Sequence, residues 1–244
     1  FLDMFIYPIE SNSKHIYPII FLICLVTIAF LINPFQSYLL AQISTDDVHI
    51  ARIKYRGGGD WYNDPSSLSN LLRFTSETVP LGLSMRYRDV ELGSTDLFQY
   101  PFAFLTGHGT ILTNANERRN LRRYLEQGGF LYVDDDYGLD ASFRKLISET
   151  FPEEELIELP FNHPLFKQVF SFPTGVPKIH EHDRQTPRTY GLFLDGRLVL
   201  VYTYESNLAD GWADQAIHNT PEDKRRVALQ MGTNILVYAL SATP

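Results

Sequence analysis

Residues 101–138 constrain this chain more than any other stretch. Two short apolar runs, residues 102–105 and 130–133, flank a segment in which Leu121, Tyr124 and Leu125 recur at helical spacing. Runs that are apolar on both faces suit strands in the middle of a sheet, so the unit is strand, helix, strand with a parallel crossover. Its limits are local. Asn114 with Glu117 three residues on forms a capping box, and Gly128-Gly129 supplies a left-handed stop before the second strand. Parallel strands point the same way, so the Gly107-His108-Gly109 and Asp134-Asp135-Asp136 turns both leave carboxyl ends. They should share the sheet edge where open α/β folds bind ligands.

The flanking chain extends this pattern. Residues 48–55 alternate as a strand and run into Gly57, Gly58, Gly59, Asp60 and Trp61. Asp64 is placed to cap a helix with Pro65 at its first position and Leu68, Leu71, Leu72 and Thr75 along its inner stripe. Residues 81–87 read as the second strand. Asp140 caps a helix carrying Phe143, Leu146 and Ile147, and residues 155–159 give a short strand that ends in Asn162-His163-Pro164. Asp195-Gly196 between two apolar runs predicts a type I′ hairpin late in the chain, and Thr220-Pro221 opens a last helix with Ala228, Met231, Ile235 and Tyr238. The expected fold is α/β, with three layers, a mostly parallel sheet with helices on both faces, a late antiparallel hairpin, and an N-terminal hydrophobic helix ahead of it.

That N-terminal segment has no charged side chain between His15 and Thr45, and residues 16–32 are almost wholly apolar. At about 1.5 Å per residue they span roughly 25 Å, short for a membrane helix and long for a signal-peptide core. A signal peptide and a membrane anchor both fit residues 1–41. Residues 42–47 then form a linker and residues 48–244 the domain. Lys14 precedes the run and no Lys or Arg follows until Arg52, so the domain is expected on the extracytoplasmic side, in the periplasm or at the cell membrane. Cleavage after Ala41 would release it. Without cleavage the helix would tether it to the membrane.

Composition excludes further classes. With a formal charge of −8 the chain has no Lys/Arg cluster for a phosphate backbone, so nucleic acid is not an expected partner. The one cysteine, Cys24, lies in the apolar run, so the domain can use neither a thiol nucleophile nor a cysteine zinc site.

Four turns after candidate parallel strands carry the chemically distinctive residues: 57–61, 107–109, 134–138 and 162–164. In an extended chain Asp134 and Asp136 share a face and Asp135 points away. Three adjacent carboxylates repel, and a divalent cation such as Mg²⁺ or Ca²⁺ on Asp134 and Asp136 would relieve that. Alternatively, one Asp caps turn amides and the others are solvated. His108, between two glycines, suits a general base or ligand if a carboxylate orients its ring, and equally a histidine bonded to turn carbonyls. The glycines can form a backbone nest facing a ligand, or a tight turn alone. Asp210-Gly211-Trp212 repeats the Gly59-Asp60-Trp61 theme of an aromatic beside an Asp, suited to a polar ring or to packing over the sheet edge. His180-Glu181-His182-Asp183 has metal-like composition but reads as a solvated loop. His163 reads as the residue that opens a helix before Pro164.

Residues 55–61, 100–109 and 125–138, with His163-Pro164-Leu165-Phe166, Gly196-Arg197 and Asp210-Gly211-Trp212, together resemble a bacterial family catalogued as domain-of-unknown-function family 4159. The resemblance spans about residues 48–240 and implies a class I glutamine amidotransferase-like, flavodoxin-like sheet. Such enzymes place a nucleophilic cysteine in the elbow after the strand. Matching on Gly138 puts Asp136 there, and a carboxylate cannot form the thioester, so the resemblance implies the fold without the activity. Two functions follow. The first is an exported, non-catalytic binding or scaffold domain that holds a small ligand or protein partner on Gly57, Gly58, Gly59, Asp60, Trp61, Gly107, His108, Gly109, Asp210 and Trp212. The alternative is a metal-assisted hydrolase using Asp134, Asp136 and His108, with His108 and Asp136 as catalytic candidates.

Overall fold

The computed structural model describes residues 47–241. The expected N-terminal apolar helix and the linker through residue 46 lie outside the described residues; among those described, no helix is long and apolar enough to cross a membrane.

In chain order the elements are β1 (Val48–Lys54), α1 (Ser67–Thr78), β2 (Leu83–Glu91), a 3₁₀ turn (Thr95–Gln99), β3 (Phe102–His108), α2 (Ala115–Glu126), β4 (Phe130–Tyr137), α3 (Asp140–Thr150) and β5 (Ile157–Glu158). A second 3₁₀ turn (Pro164–Lys167), β6 (Arg188–Leu194), β7 (Arg197–Tyr204), α4 (Leu208–Trp212), α5 (Gln215–His218) and α6 (Glu222–Ser241) follow. The seven strands form one sheet in the order β2-β1-β3-β4-β7-β6-β5. The first five in that order pair in parallel, and β6 and β5 are added antiparallel beyond β7. The sheet is therefore mixed but mostly parallel, as the crossover unit predicts.

Strand alternation sorts the core into two layers. Ile50, Phe102, Phe104, Phe130, Tyr132 and Val201 face one side with Leu71 of α1, Trp212 of α4 and Met231 and Ile235 of α6. Ala51, Ile53, Ala103, Leu105, Leu131 and Val133 face the other with Leu121 and Leu125 of α2 and Phe143 and Ile147 of α3. The local signals at α2 are realised: Asn114 Oδ1 accepts from the amides of Asn116 (2.8 Å) and Glu117 (3.0 Å), and Glu117 Oε2 accepts from Asn114 N at 2.7 Å. Asp195 and Gly196 both take positive φ, 50° and 80°, as a type I′ hairpin requires.

Three local expectations shift, besides that for Asp140, which is the first residue of its helix and not its cap. Strand β2 starts at Leu83, after Gly82 has turned with φ 61°, and runs on to Glu91. It is an edge strand whose charged outer residues hide its alternation. Helix α1 starts at Ser67: Asp64 has φ 48°, and its carboxylate turns away from the helix amides to His218. The third is the 162–164 turn. Strand β5 is the far edge of the sheet, three strands from β4, and His163 accepts from Leu165 N at 3.2 Å and packs its ring on Phe193 and Tyr238. That turn opens a 3₁₀ segment and takes no part in the site below.

Candidate functional site

The carboxyl ends of β1, β3, β4 and β7 converge on one edge. At the end of β4 three consecutive aspartates are buried, each with different partners. Asp134 accepts from Thr203 Oγ1 (2.6 Å), Tyr132 OH (3.1 Å) and the amide of Ala209 (2.7 Å), so both its oxygens are occupied and it ties the start of α4 to the sheet. Burial raises its carboxyl to about 7, against the lowering effect of these donors. Asp135 points to the opposite face and accepts from Leu139 N at 2.9 Å and Tyr202 OH at 3.1 Å; burial raises it to about 6. Asp136 lies further along the Asp134 face and is buried as well. Asn207 Nδ2 donates to its Oδ1 at 3.0 Å, Asn63 Nδ2 donates to its Oδ2, and His108 Nδ1 lies 3.4 Å from Oδ2. Of the two carboxylates expected to hold a cation, Asp134 is a docking residue and Asp136 faces the open cluster.

The β1 and β3 turns lock together. Asp60 Oδ1 accepts from His108 N at 2.6 Å, and both Asp60 oxygens lie 3.1 Å from His108 Nδ1. This is the orienting carboxylate that a basic histidine needs. Gly107 makes the approach feasible: its φ is 135°, and a Cβ there would come within 2.4 Å of Tyr55 OH and 3.1 Å of Asp60. Gly59 is held as closely, against Tyr55 OH and His108 O. Gly57 is pressed on the backbone of Thr110 and Leu112, while Gly58 and Gly109 border open space. Trp61 turns off the edge and covers the guanidinium of Arg52 (5.2 Å) and the ammonium of Lys54 (5.7 Å).

On the β7 side the chain passes through left-handed φ at Glu205 and Asn207, both 56°, before entering α4. This delivers Asp210 to the edge while Trp212 turns inward to the core. Asp210, 3% exposed, lies beside Asp64 (7%) and Asp136 (2%), and one oxygen from each lies within 4.8 Å of the others. His180 Nδ1 is 2.6 Å from Asp210 Oδ2; His218 Nε2 is 2.6 Å from Asp64 Oδ1 and 3.6 Å from Asp210 Oδ1. His180, Asp210 and His218 form a second set of donor atoms within 4.8 Å of one another. Burial first, then the charges of Asp136 and Asp64, hold Asp210 well above the ordinary carboxylate range. Burial and the neighbouring His218 and His182 rings lower His180 below the usual imidazole value. Asp64 Oδ2, Asp210 Oδ1 and Asn207 Oδ1 are buried without a hydrogen-bond partner in the protein. Such atoms are costly unless something else satisfies them.

A cavity of about 220 Å³ opens next to Asp136 and Asn207, bordered by Tyr137, Asp140, Asp183 and Glu205. His182 stacks on Tyr137 (4.6 Å between centroids), and its Nε2 lies 2.9 Å from Asn207 Nδ2.

The model of the family described as Domain of unknown function (DUF4159) matches residues 49–240. The chain belongs to this family. No curated protein matches it. Within this DUF4159 domain the structure brings Asp60, Gly107, His108, Asp136 and Asp210 together, and sends Trp61 and Trp212 elsewhere. The residues that sequence reasoning missed are Asn63, Asp64, His180, His182, Asn207 and His218. For His180 and His182 the paired spacing was a legible signal, outweighed by the proline-rich loop before them. His218, alone on a four-residue helix, carried none.

Proposed function

We propose that this edge binds a divalent transition-metal ion and that the domain acts through it as an extracytoplasmic metal-dependent hydrolase of a small polar substrate. One observation carries the reading: three buried carboxylates and two part-exposed imidazoles converge in a cluster in which Asp64 and Asp210 each retain an unpartnered oxygen. Buried carboxylates this close repel, and a cation offsets both the repulsion and the missing hydrogen bonds. The imidazoles favour a borderline ion such as Zn²⁺, and the carboxylates also admit Mn²⁺, beside the Mg²⁺ or Ca²⁺ expected from carboxylates alone. When bound, the ion would supply a water of lowered pKa.

The chain's own groups supply the rest. Asp60 orients His108, half-exposed beside Asp136, so that the ring would be placed to act as a general base there; a scaffold domain has no need of this arrangement. Asn63 and Asn207 fix Asp136. The amidotransferase-like reading of the sheet agrees with its 2-1-3-4 strand order, with Asp136 in place of the nucleophile and no thiol in residues 47–244.

The test is a thermal melt of the purified chain with and without Zn²⁺, Mn²⁺, Mg²⁺ and Ca²⁺. At 100 times its dissociation constant a bound ion adds about 2.7 kcal/mol. In a domain of this size that raises the Tm by roughly 5–10 °C. Zn²⁺ or Mn²⁺ should give the increase, and Asp136→Asn should remove most of it. An ion-independent Tm overturns the metal reading. His108→Ala should keep the ion-induced shift and lose hydrolysis of ester and phosphoester substrates by about 10²–10⁴-fold. A full ion response with no turnover on any such substrate would instead support the non-catalytic binding domain.

The extracytoplasmic placement rests on Lys14 ahead of the apolar run and the basic-free stretch to Arg52. Protease added to intact spheroplasts should digest the domain, and full protection would refute export.

A further inference from the structure

We infer that the site holds two ions, bridged by the Asp210 carboxylate. The inference rests on the metal reading above and adds its stoichiometry and the division of ligands.

The five donors fall into two sets of three, Asp64-Asp136-Asp210 and His180-Asp210-His218, with only Asp210 in both. Donors on one first-row ion sit at about 2.0–2.2 Å from it, so no two of them can be more than about 4.4 Å apart. Among the described residues the donor atoms of each set lie within 4.8 Å of one another, and no larger group of the five does, so all five do not gather around one centre. Asp210 is the residue common to both sets. Its Oδ2 is directed at His180 Nδ1, 2.6 Å away, and its Oδ1, 3.6 Å from His218 Nε2, is buried without a hydrogen-bond partner. Asp64 Oδ2 is the second unpartnered oxygen, on a residue only 7% exposed. Each set of three thus contains at least one buried oxygen that no protein donor satisfies.

Charge points the same way. Asp64, Asp136 and Asp210, when ionised, carry three negative charges, so one divalent ion leaves the cluster anionic and two leave it with a single positive charge. The second state attracts an anionic substrate group such as a phosphoryl or carboxylate oxygen, which two ions about 3.5–4 Å apart clamp between them. The sets also differ in kind. His180 and His218 suit a borderline ion of the Zn²⁺ class, and the all-carboxylate set suits a harder ion such as Mn²⁺ or Mg²⁺.

The experiment is native mass spectrometry of the purified full chain after loading with Zn²⁺ alone, Mn²⁺ alone and both together, with electron paramagnetic resonance of the Mn²⁺ form. Two ions per chain are expected, with the exchange-coupled signal of a Mn²⁺ pair. His180→Ala should hold one ion and lose the coupling. Asp64→Asn should also hold one, and Asp210→Asn should lower the affinity for both ions at least tenfold. Circular dichroism of each variant identifies any that does not fold, and His180→Gln replaces His180→Ala in that case. One ion in the wild type, or two that His180→Ala leaves in place, overturns the bridged pair while leaving the metal reading intact. No ion in the wild type overturns both.

Discussion

Trp212→Ala lowers the stability of the domain by about 3–5 kcal/mol, the cost of deleting a large buried ring, and lowers the Tm by roughly 10 °C. The indole is 0% exposed, sits 5.5 Å from the Phe104 ring and 5.8 Å from the Tyr132 ring, and donates from Nε1 to Ala228 O at 2.9 Å. Helix α6 is fitted to it: a Cβ on Gly232 would come within 2.7 Å of the ring. Removing the indole opens a cavity between the sheet and α6 and leaves a buried carbonyl without its donor. Urea denaturation followed by far-ultraviolet circular dichroism measures the loss. A loss below about 1 kcal/mol would return the ring to the role of a ligand platform.

The second large effect is with pH. In the metal-free protein Asp134 stands at about 7 and Asp135 at about 6, both raised from 3.8. Below about pH 4 both carboxyls are protonated folded or unfolded, and the contribution of their raised pKa values is fully present. As pH rises through the window from 3.8 to about 7 the unfolded chain loses these protons first, so folding must rebind them or bury the charge, and stability falls. A tenfold difference in proton affinity between the folded and unfolded chain corresponds to about 1.4 kcal/mol, so the two aspartates together account for several kcal/mol. In EDTA the urea midpoint should therefore be lower at pH 7.5 than at pH 4.5. Zn²⁺, which needs ionised carboxylates, should flatten or reverse that trend. A midpoint that rises with pH in EDTA would mean that the donors to Asp134 and Asp135, among them Thr203 and Leu139 N, outweigh burial.

What the sequence disclosed was what neighbouring residues decide among themselves. The Asn114-Glu117 box, the Asp195-Gly196 hairpin and the apolar runs at 102–105 and 130–133 act over a few positions, and each appears where those positions place it. The cluster depends on contacts that no local pattern encodes. Asp64 and His218 meet across 154 positions, and His180 reaches Asp210 from a loop whose course is set by the whole β5–β7 side of the sheet. Asp64 shows the competition directly. An Asp before a Pro is a good helix-starting signal, yet the carboxylate gains more beside an imidazole than at amides the helix can satisfy in other ways. The two Asp-Trp pairs are alike in sequence and opposite in fate. Trp61 lies over cations on a turn, while Trp212 sits two residues past Asp210 and is turned into the core. The one local difference, Trp61 directly after Asp60 and Trp212 after an intervening Gly211, does not by itself say which ring is buried.

Asp134, which holds no ligand itself, sets the tolerance of the edge. By accepting from the amide of Ala209 at 2.7 Å it clamps the first turn of α4 to the end of β4, so Asp136 and Asp210 are carried on two parts of one rigid bracket. On the metal reading proposed above, the gap between their carboxylates would then be set by the backbone before an ion binds. Such a gap works as a gauge. Ions that agree in charge and softness but differ by a small fraction of an ångström in radius are separated by the strain each would impose on a clamp that does not yield.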